Sequence, residues 1–175
     1  MQNDLPIENL SQEQLADKVE QLSLKYIQAC QDNFLLFVKE MWPDFIFRKT
    51  NIKEDFGHHQ IIASEFHKIA YGKLNRLIIN MPPRHTKSEF ASYLFPAWLI
   101  GRNPKLKIMQ VTHNAELAQR FGRKVRNLVD SNEYKAIFGD VKLKEDSKAA
   151  GRWETNHGGE YFAAGVDGSI IGRGA

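Results

Sequence analysis

The sequence predicts an α/β protein, a parallel sheet flanked by helices and entered through a helical lead-in. Two short apolar runs, "RLIINM" at 76–81 and "LKIMQVT" at 106–112, have the aliphatic content of buried strands. Each precedes a stretch of helical period, 87–101 and 114–129. Strand, helix, strand, helix is the order that builds parallel strands with right-handed crossovers. With 175 residues, 42% of them hydrophobic, the chain has apolar material for one packed domain.

Ser11 followed by Gln14 forms a capping-box pattern, and Leu15, Val19, Leu22, Tyr26 and Ala29 then recur at helical spacing. "DNFLLFVKEMW" continues as a second apolar helix that must stop before Pro43, because a residue preceding proline avoids the α region. The Phe-rich stretch 34–47 lacks interleaved basic residues and reads as core or as a surface for a partner helix, not as a base-stacking platform. "DFIFRKTNIKEDFG" has no helical period and reads as an extended connector. Residues 1–50 therefore form the helical lead-in and 51–175 the sheet domain.

From His58 a helix is expected with Ile62, Phe66 and Ile69 on one face and Gly72 as its stop. The run "KSEFASYLFPAWLIG" is a nearly all-apolar helix, crowded at Pro96 and ended by Gly101. The glycine-dense segment 152–175 alternates, which predicts short strands joined by tight turns at 157–159 and 166–168.

A net charge of +3 permits a polyanionic partner but excludes a histone-like excess. The single cysteine, Cys30, forms no internal bridge, which fits a reducing compartment. The N-terminal residues lack the basic and apolar regions of a signal peptide, and the longest apolar stretch, 90–100, is too short to span a bilayer. A soluble intracellular protein is expected.

The chemistry concentrates in "NMPPRHTKSE" at 80–89. A GxxxxGK[ST] phosphate loop needs a strand before it, a helix after it, converging backbone N–H groups, a lysine for the β/γ-phosphates and a hydroxyl for Mg²⁺. The expected strand 76–81, the expected helix, Lys87 and Ser88 meet four of these needs, but Met81 and Thr86 stand where the pattern has glycine. Pro82 and Pro83 carry no N–H, so any cradle comes from Arg84, His85, Thr86, Lys87 and Ser88. A β-branched threonine tolerates positive φ poorly, so position 86 requires negative φ or accepts strain. A plain Pro-Pro turn is the rival reading. Three cations, Arg84, His85 and Lys87, at a helix N-terminus oppose the macrodipole unless an anion is bound there, which leaves the two readings level.

The stretch from "DFGHHQIIASEF" to "GSIIGRGA" resembles the N-terminal ATPase domain of the large terminase subunit of tailed bacteriophages. The likeness is carried by the MPPRHxKS loop, the "FPAWLIGRNP" helix end, the strand ending at Thr112 and the closing "GRGA". The resemblance implies a RecA-like P-loop NTPase fold with an additional strand, ATP and Mg²⁺ as cofactors, and a motor that drives double-stranded DNA into procapsids. It implies Lys87 on the β/γ-phosphates, Ser88 on Mg²⁺, Arg84 as a phosphate sensor or cis-acting arginine, Gln60 as adenine reader and Arg173 as a finger toward a neighbouring subunit. Implied partners are DNA, the portal protein, the small terminase subunit and further copies in a ring. The implied compartment is the cytoplasm of the infected bacterial host. Family loops carry glycine where Thr86 stands, and the paired acids of Walker B, like the nuclease domain, are expected beyond Ala175. The acids within the chain that close apolar runs, Asp140 and Asp167, read as turns. The chain alone is thus expected to bind Mg·ATP weakly and turn it over little. One alternative is a non-catalytic truncated terminase module that acts only in protein association or as a recognised partner; another is a helicase-like ATPase outside phage, which shares the fold.

Two further groups stand outside the loop. The helix 114–129 sets Arg120, Arg123, Lys124 and Arg126 opposite an apolar side, which fits a DNA backbone, an adjacent subunit or an ordinary solvated face. His58 and His59 lack metal-ligand spacing to any Cys, Asp or Glu and read as helix-start residues.

Overall fold

The computed structural model describes residues 10–44 and 57–166. Helix α1, Gln12–Asp32, opens on the expected capping box: Gln14 N–H donates to Ser11 Oγ at 3.2 Å and Ser11 N–H to Gln14 Oε1 at 2.9 Å. Its apolar stripe is largely in solvent, with Val19 61%, Leu22 56% and Tyr26 47% exposed. The helix docks through its C-terminal end, where Cys30 is buried and its carbonyl accepts the Trp98 indole N–H at 3.1 Å. Helix α2, Phe34–Met41, stops before Pro43 as the sequence requires.

Helix α3, Gly57–Ala70, ends at Gly72, whose φ of +68° suits glycine and whose N–H returns to Ile69 O at 3.0 Å. Of the connector read at 44–57, positions 45–56 lie outside the described residues.

The run 76–81 departs from expectation: it is not a strand of the sheet. Leu77, Ile79 and Met81 pack against the core while Ile78 is 86% exposed, so the run alternates as a strand would. Among the described residues no segment pairs with it, and its backbone enters no ladder.

Helix α4 runs 87–102 without a break, α-helical at Lys87–Glu89, π-helical at Phe90–Leu94 and α-helical again at Phe95–Arg102. The wide turn has a local cause. Pro96 donates no N–H, and in α register its ring would crowd the carbonyl of Ser92. Phe95 N–H instead reaches back to Phe90 O, which opens the turn ahead of the proline. Gly101 lies inside the helix instead of ending it; an added Cβ would stand 2.5 Å from the Phe138 ring.

Four strands form one mixed sheet in the order β1, β4, β3, β2. Strand β1, Lys107–Thr112, is followed by α5, Ala115–Val129, and α6, Asn132–Ile137. Then come β2, Leu143–Ala149, β3, Arg152–Thr155, and β4, Glu160–Gly165. The parallel pair is β1 with β4, in register from Lys107 opposite Glu160 to Thr112 opposite Gly165. The expected parallel sheet is thus found only in part, since the other two ladders are antiparallel. The turn at 157–159 joins β3 to β4 as expected, with Gly158 at φ +83°; of the turn at 166–168 only Val166 is described.

One core joins the lead-in to the sheet. Phe34 is its hub, with Phe66, Phe90, Phe95 and Trp98 ring centroids 5.5–5.6 Å away. Within the described part of the Phe-rich stretch, Phe34, Phe37 and Val38 are core residues, and positions 45–47 lie outside the described residues. Burying one such ring contributes roughly 1.5–3 kcal/mol. On the sheet, Gly122 of α5 lets the helix approach: Trp153 stacks on Tyr161 at 5.0 Å and its indole N–H donates to Gly122 O at 3.3 Å. The molecule is thus a mixed α/β structure, a four-stranded mixed sheet flanked by helices.

Candidate functional site

Residues 82–88 turn the chain from the extended run into α4. Arg84 and Thr86 take positive φ, 65° and 60°. The requirement set by sequence resolves toward strain: a β-branched residue sits in the left-handed region at the position where a glycine costs least. Two internal hydrogen bonds hold the bend. His85 Nδ1 donates to Pro83 O at 2.9 Å, and the Thr86 hydroxyl donates to His85 O at 2.6 Å.

Thr86, with φ 60° and ψ 9°, directly precedes Lys87, the first residue of α4. A left-handed residue followed by a right-handed one turns successive N–H groups toward one point, the arrangement called a nest. Thr86 supplies no side-chain cap to the helix it begins. Among the described residues, the N–H groups of Lys87, Ser88 and Glu89 have no protein acceptor; the first N–H of the turn to be bonded is that of Phe90, to Thr86 O at 3.0 Å. An uncapped helix start of this kind presents orphan donors and the positive end of the helix dipole.

Around this bend Arg84, His85 and Ser88 are exposed and Lys87 is half-buried. Arg84, His85, Thr86, Lys87 and Ser88, the candidate phosphate ligands, all lie on this bend. Gln60 is exposed in the first turn of α3, the helix whose His59 reaches the loop. Arg173 lies outside the described residues. Beside the loop, α3 and the extended run enclose a mostly apolar groove of ≈ 240 Å³ lined by His58, Ile61, Ile62, Leu77, Ile79 and Met81, among others.

Sequence reasoning missed His59. Its Nε2 lies 2.8 Å from Thr86 Oγ1, and its ring stacks on Phe90 at 4.8 Å and lies tilted beside that of His58 at 3.9 Å. Burial, with a smaller contribution from His58, pushes its pKa down to about 4, so the ring is neutral near pH 7. The doublet in "HHQ" was a visible signal, but nothing local says that its second member faces a loop 27 positions away.

The basic side of α5 divides in two. Lys124 is engaged within the fold, 2.8 Å from the Glu89 carboxylate and 5.0 Å above the Tyr93 ring. Arg126 bonds the Asn127 side chain. Arg120 and Arg123 are exposed and line a groove of ≈ 330 Å³ with Glu116, Lys124 and Asn127.

The donor set of the loop fits a phosphate group: three unbonded N–H groups, an ammonium and a hydroxyl at one helix start. For Mg²⁺ it offers the single Ser88 hydroxyl, and no group of three or more His, Cys, Asp or Glu that could hold a metal gathers among the described residues. A cation there would take its remaining ligands from phosphate oxygens and water. Among the described residues no helix is long and apolar enough to cross a membrane. Comparisons with protein-family models, curated proteins and solved structures return no match to this chain.

Proposed function

We propose that the 81–88 loop and the start of α4 bind the phosphates of ATP, and that the chain is the ATP-binding portion of a phage DNA-packaging motor, the terminase large subunit. The observation that carries the reading is the left-handed Thr86 immediately before Lys87, which leaves the first-turn amides of a 16-residue helix uncapped and aimed at one point. A fold without a ligand there would gain by capping them, at about 1 kcal/mol for a threonine N-cap.

In this reading the N–H groups of Lys87 and Ser88 hold the β-phosphate, and the Lys87 ammonium neutralises the β/γ oxygens. Ser88 supplies one hydroxyl to the Mg²⁺ that accompanies the nucleotide, and Arg84 meets the γ-phosphate from the exposed side of the bend. The bound Mg²⁺ supplies charge neutralisation on the phosphates. The P-loop architecture, the DNA partner, the portal, the small subunit and the ring of subunits belong to the same proposal, as does the host cytoplasm. They rest on the sequence likeness of the loop and its flanks.

Lys87→Ala tests the site. Removing a charge-assisted contact is expected to weaken Mg·ATP binding about tenfold to a hundredfold. An affinity indistinguishable from the unsubstituted chain would reject the assignment.

A second reading, a module that acts only in protein association, is favoured by one observation: Val19, Leu22, Leu24 and Tyr26 of α1 are about half or more exposed on a helix that, among the described residues, docks by its C-terminal end. Titrating the chain with Mg·ATP separates the two, since the association module binds none.

A further inference from the structure

We infer that His59 is a positioning residue for the phosphate loop, holding Thr86 in the left-handed conformation that keeps the first amides of α4 open. The inference deepens the nucleotide-binding reading above and rests on it for its functional consequence.

A threonine that begins a helix ordinarily takes extended φ and turns its hydroxyl back onto the N–H of the second or third helical residue. Here those residues are Ser88 and Glu89. Thr86 does neither: its φ is 60° and its side chain makes no cap. Its hydroxyl is engaged on both sides instead, donating to His85 O at 2.6 Å and lying 2.8 Å from His59 Nε2. With the hydroxyl proton spent on the carbonyl, His59 Nε2–H is the donor to Oγ1.

His59 is well placed to impose this. Its ring is packed between Phe90, at 4.8 Å and 29°, and His58, at 3.9 Å. Phe90 is itself fully buried, so the imidazole is referenced to the core through the same helix whose start it controls. Without the bond from α3, Thr86 is released to the extended conformation, and its hydroxyl falls onto the amides a phosphate would use. His59 thus acts as a brake on self-capping, one that a glycine at position 86 would make unnecessary.

That logic yields a test with two readouts. Mg·ATP affinity is measured for the unsubstituted chain, His59→Ala, His59→Gln, Thr86→Gly and the His59→Ala/Thr86→Gly pair, with urea midpoints as a check on folding. Loss of one hydrogen bond that sets the loop is expected to weaken ATP roughly fivefold to tenfold in His59→Ala. His59→Gln, whose amide still donates, recovers most of it. In the Thr86→Gly background the His59→Ala substitution costs less than about twofold, because the strained residue and the competing hydroxyl are both gone. An undiminished loss in that background overturns the inference, as does full affinity in His59→Ala alone.

The second readout needs no nucleotide. Amide hydrogen exchange of Ser88 and Glu89 is expected to slow at least severalfold in His59→Ala, as the freed hydroxyl caps them. Unchanged exchange there sinks the role of His59 even if Lys87→Ala shows that ATP binds. Slowed exchange in a chain that binds no ATP upholds His59 as the loop's positioning residue and rejects the nucleotide reading.

Discussion

The backbone N–H of Phe34 donates to Nε2 of His67 at 2.9 Å, a bond between residues 33 positions apart. It completes the start of α2. The Asn33 side chain accepts from the N–H groups of Leu35 and Leu36, and His67 of α3 takes the remaining first one. The lead-in is therefore joined to the rest of the fold by an imidazole that must stay unprotonated at Nε2.

That requirement predicts acid sensitivity. Burial, and then the Arg102 guanidinium, lower the pKa of His67, whose ring also faces Trp98 and Tyr71; burial and His58 lower that of His59 to about 4. In the unfolded chain both titrate near their ordinary value of about 6.5. A depressed folded pKa contributes stability that is present above the unfolded value and is lost as pH falls toward the folded one. The urea midpoint is expected to hold from pH 8 to 7 and to fall between pH 6.5 and 4. His67→Gln, which keeps an acceptor but does not titrate, should flatten part of that fall; an identical pH profile counts against His67.

Gly122 predicts a large response to a small change. A Cβ there would collide with the backbone oxygen of Ala150, and the Gly122 carbonyl already accepts the Trp153 indole. A carbonyl in a chain segment yields less readily than a side-chain tip, so α5 must lift off the sheet. Gly122→Ala is expected to cost about 1–3 kcal/mol, the range for overpacking, despite the better helix propensity of alanine. Equilibrium urea denaturation measures it, and a gain in stability would show that the helix is free to shift.

What the sequence made legible, and what it did not, divides along the range of the interactions. The Ser11–Gln14 cap, the stop at Gly72, the crowding at Pro96 and the turn at 157–159 are set within a few residues, and each is found where local chemistry puts it. Strand β2, "LKEDSKA", is polar and β-poor and is a strand because β3 lies beside it; periodicity offers no hint of it. The run 76–81 errs the other way. Its residues suit a ladder, but a ladder needs a partner, and composition does not say whether one is adjacent. At the loop, the residue types were readable, whereas the left-handed Thr86 and its bond to His59 depend on how α3 meets α4.

Hydrogen exchange tests the unpaired run directly. Backbone amides that bond to no acceptor exchange at rates close to those of the unfolded chain. The amides of Leu77, Ile78 and Ile79 are expected to exchange fast, while the β4 amides that pair with β1 are slow, as is that of Ala163, which bonds Gly151 O at 2.8 Å. Ile78→Ser, at a side chain 86% exposed, should change stability by less than about 0.5 kcal/mol. Slow exchange across 77–79 would mean that the run has found a neighbouring strand in solution.

The two halves of the basic side of α5 should separate by experiment. Lys124 bridges to Glu89 and covers Tyr93, so Lys124→Ala removes a contact between α5 and α4 and should cost up to about 1 kcal/mol of stability, screened by salt. Arg120 and Arg123 are exposed in their groove, so Arg120→Ala and Arg123→Ala should leave stability within about 0.5 kcal/mol. If this face meets a nucleic-acid backbone, each of the two arginine substitutions should weaken duplex DNA binding and reduce the slope of log K against log salt by about 1. Duplex binding with an unaltered slope in both variants would assign the arginines to solvent and move any DNA contact elsewhere on the molecule.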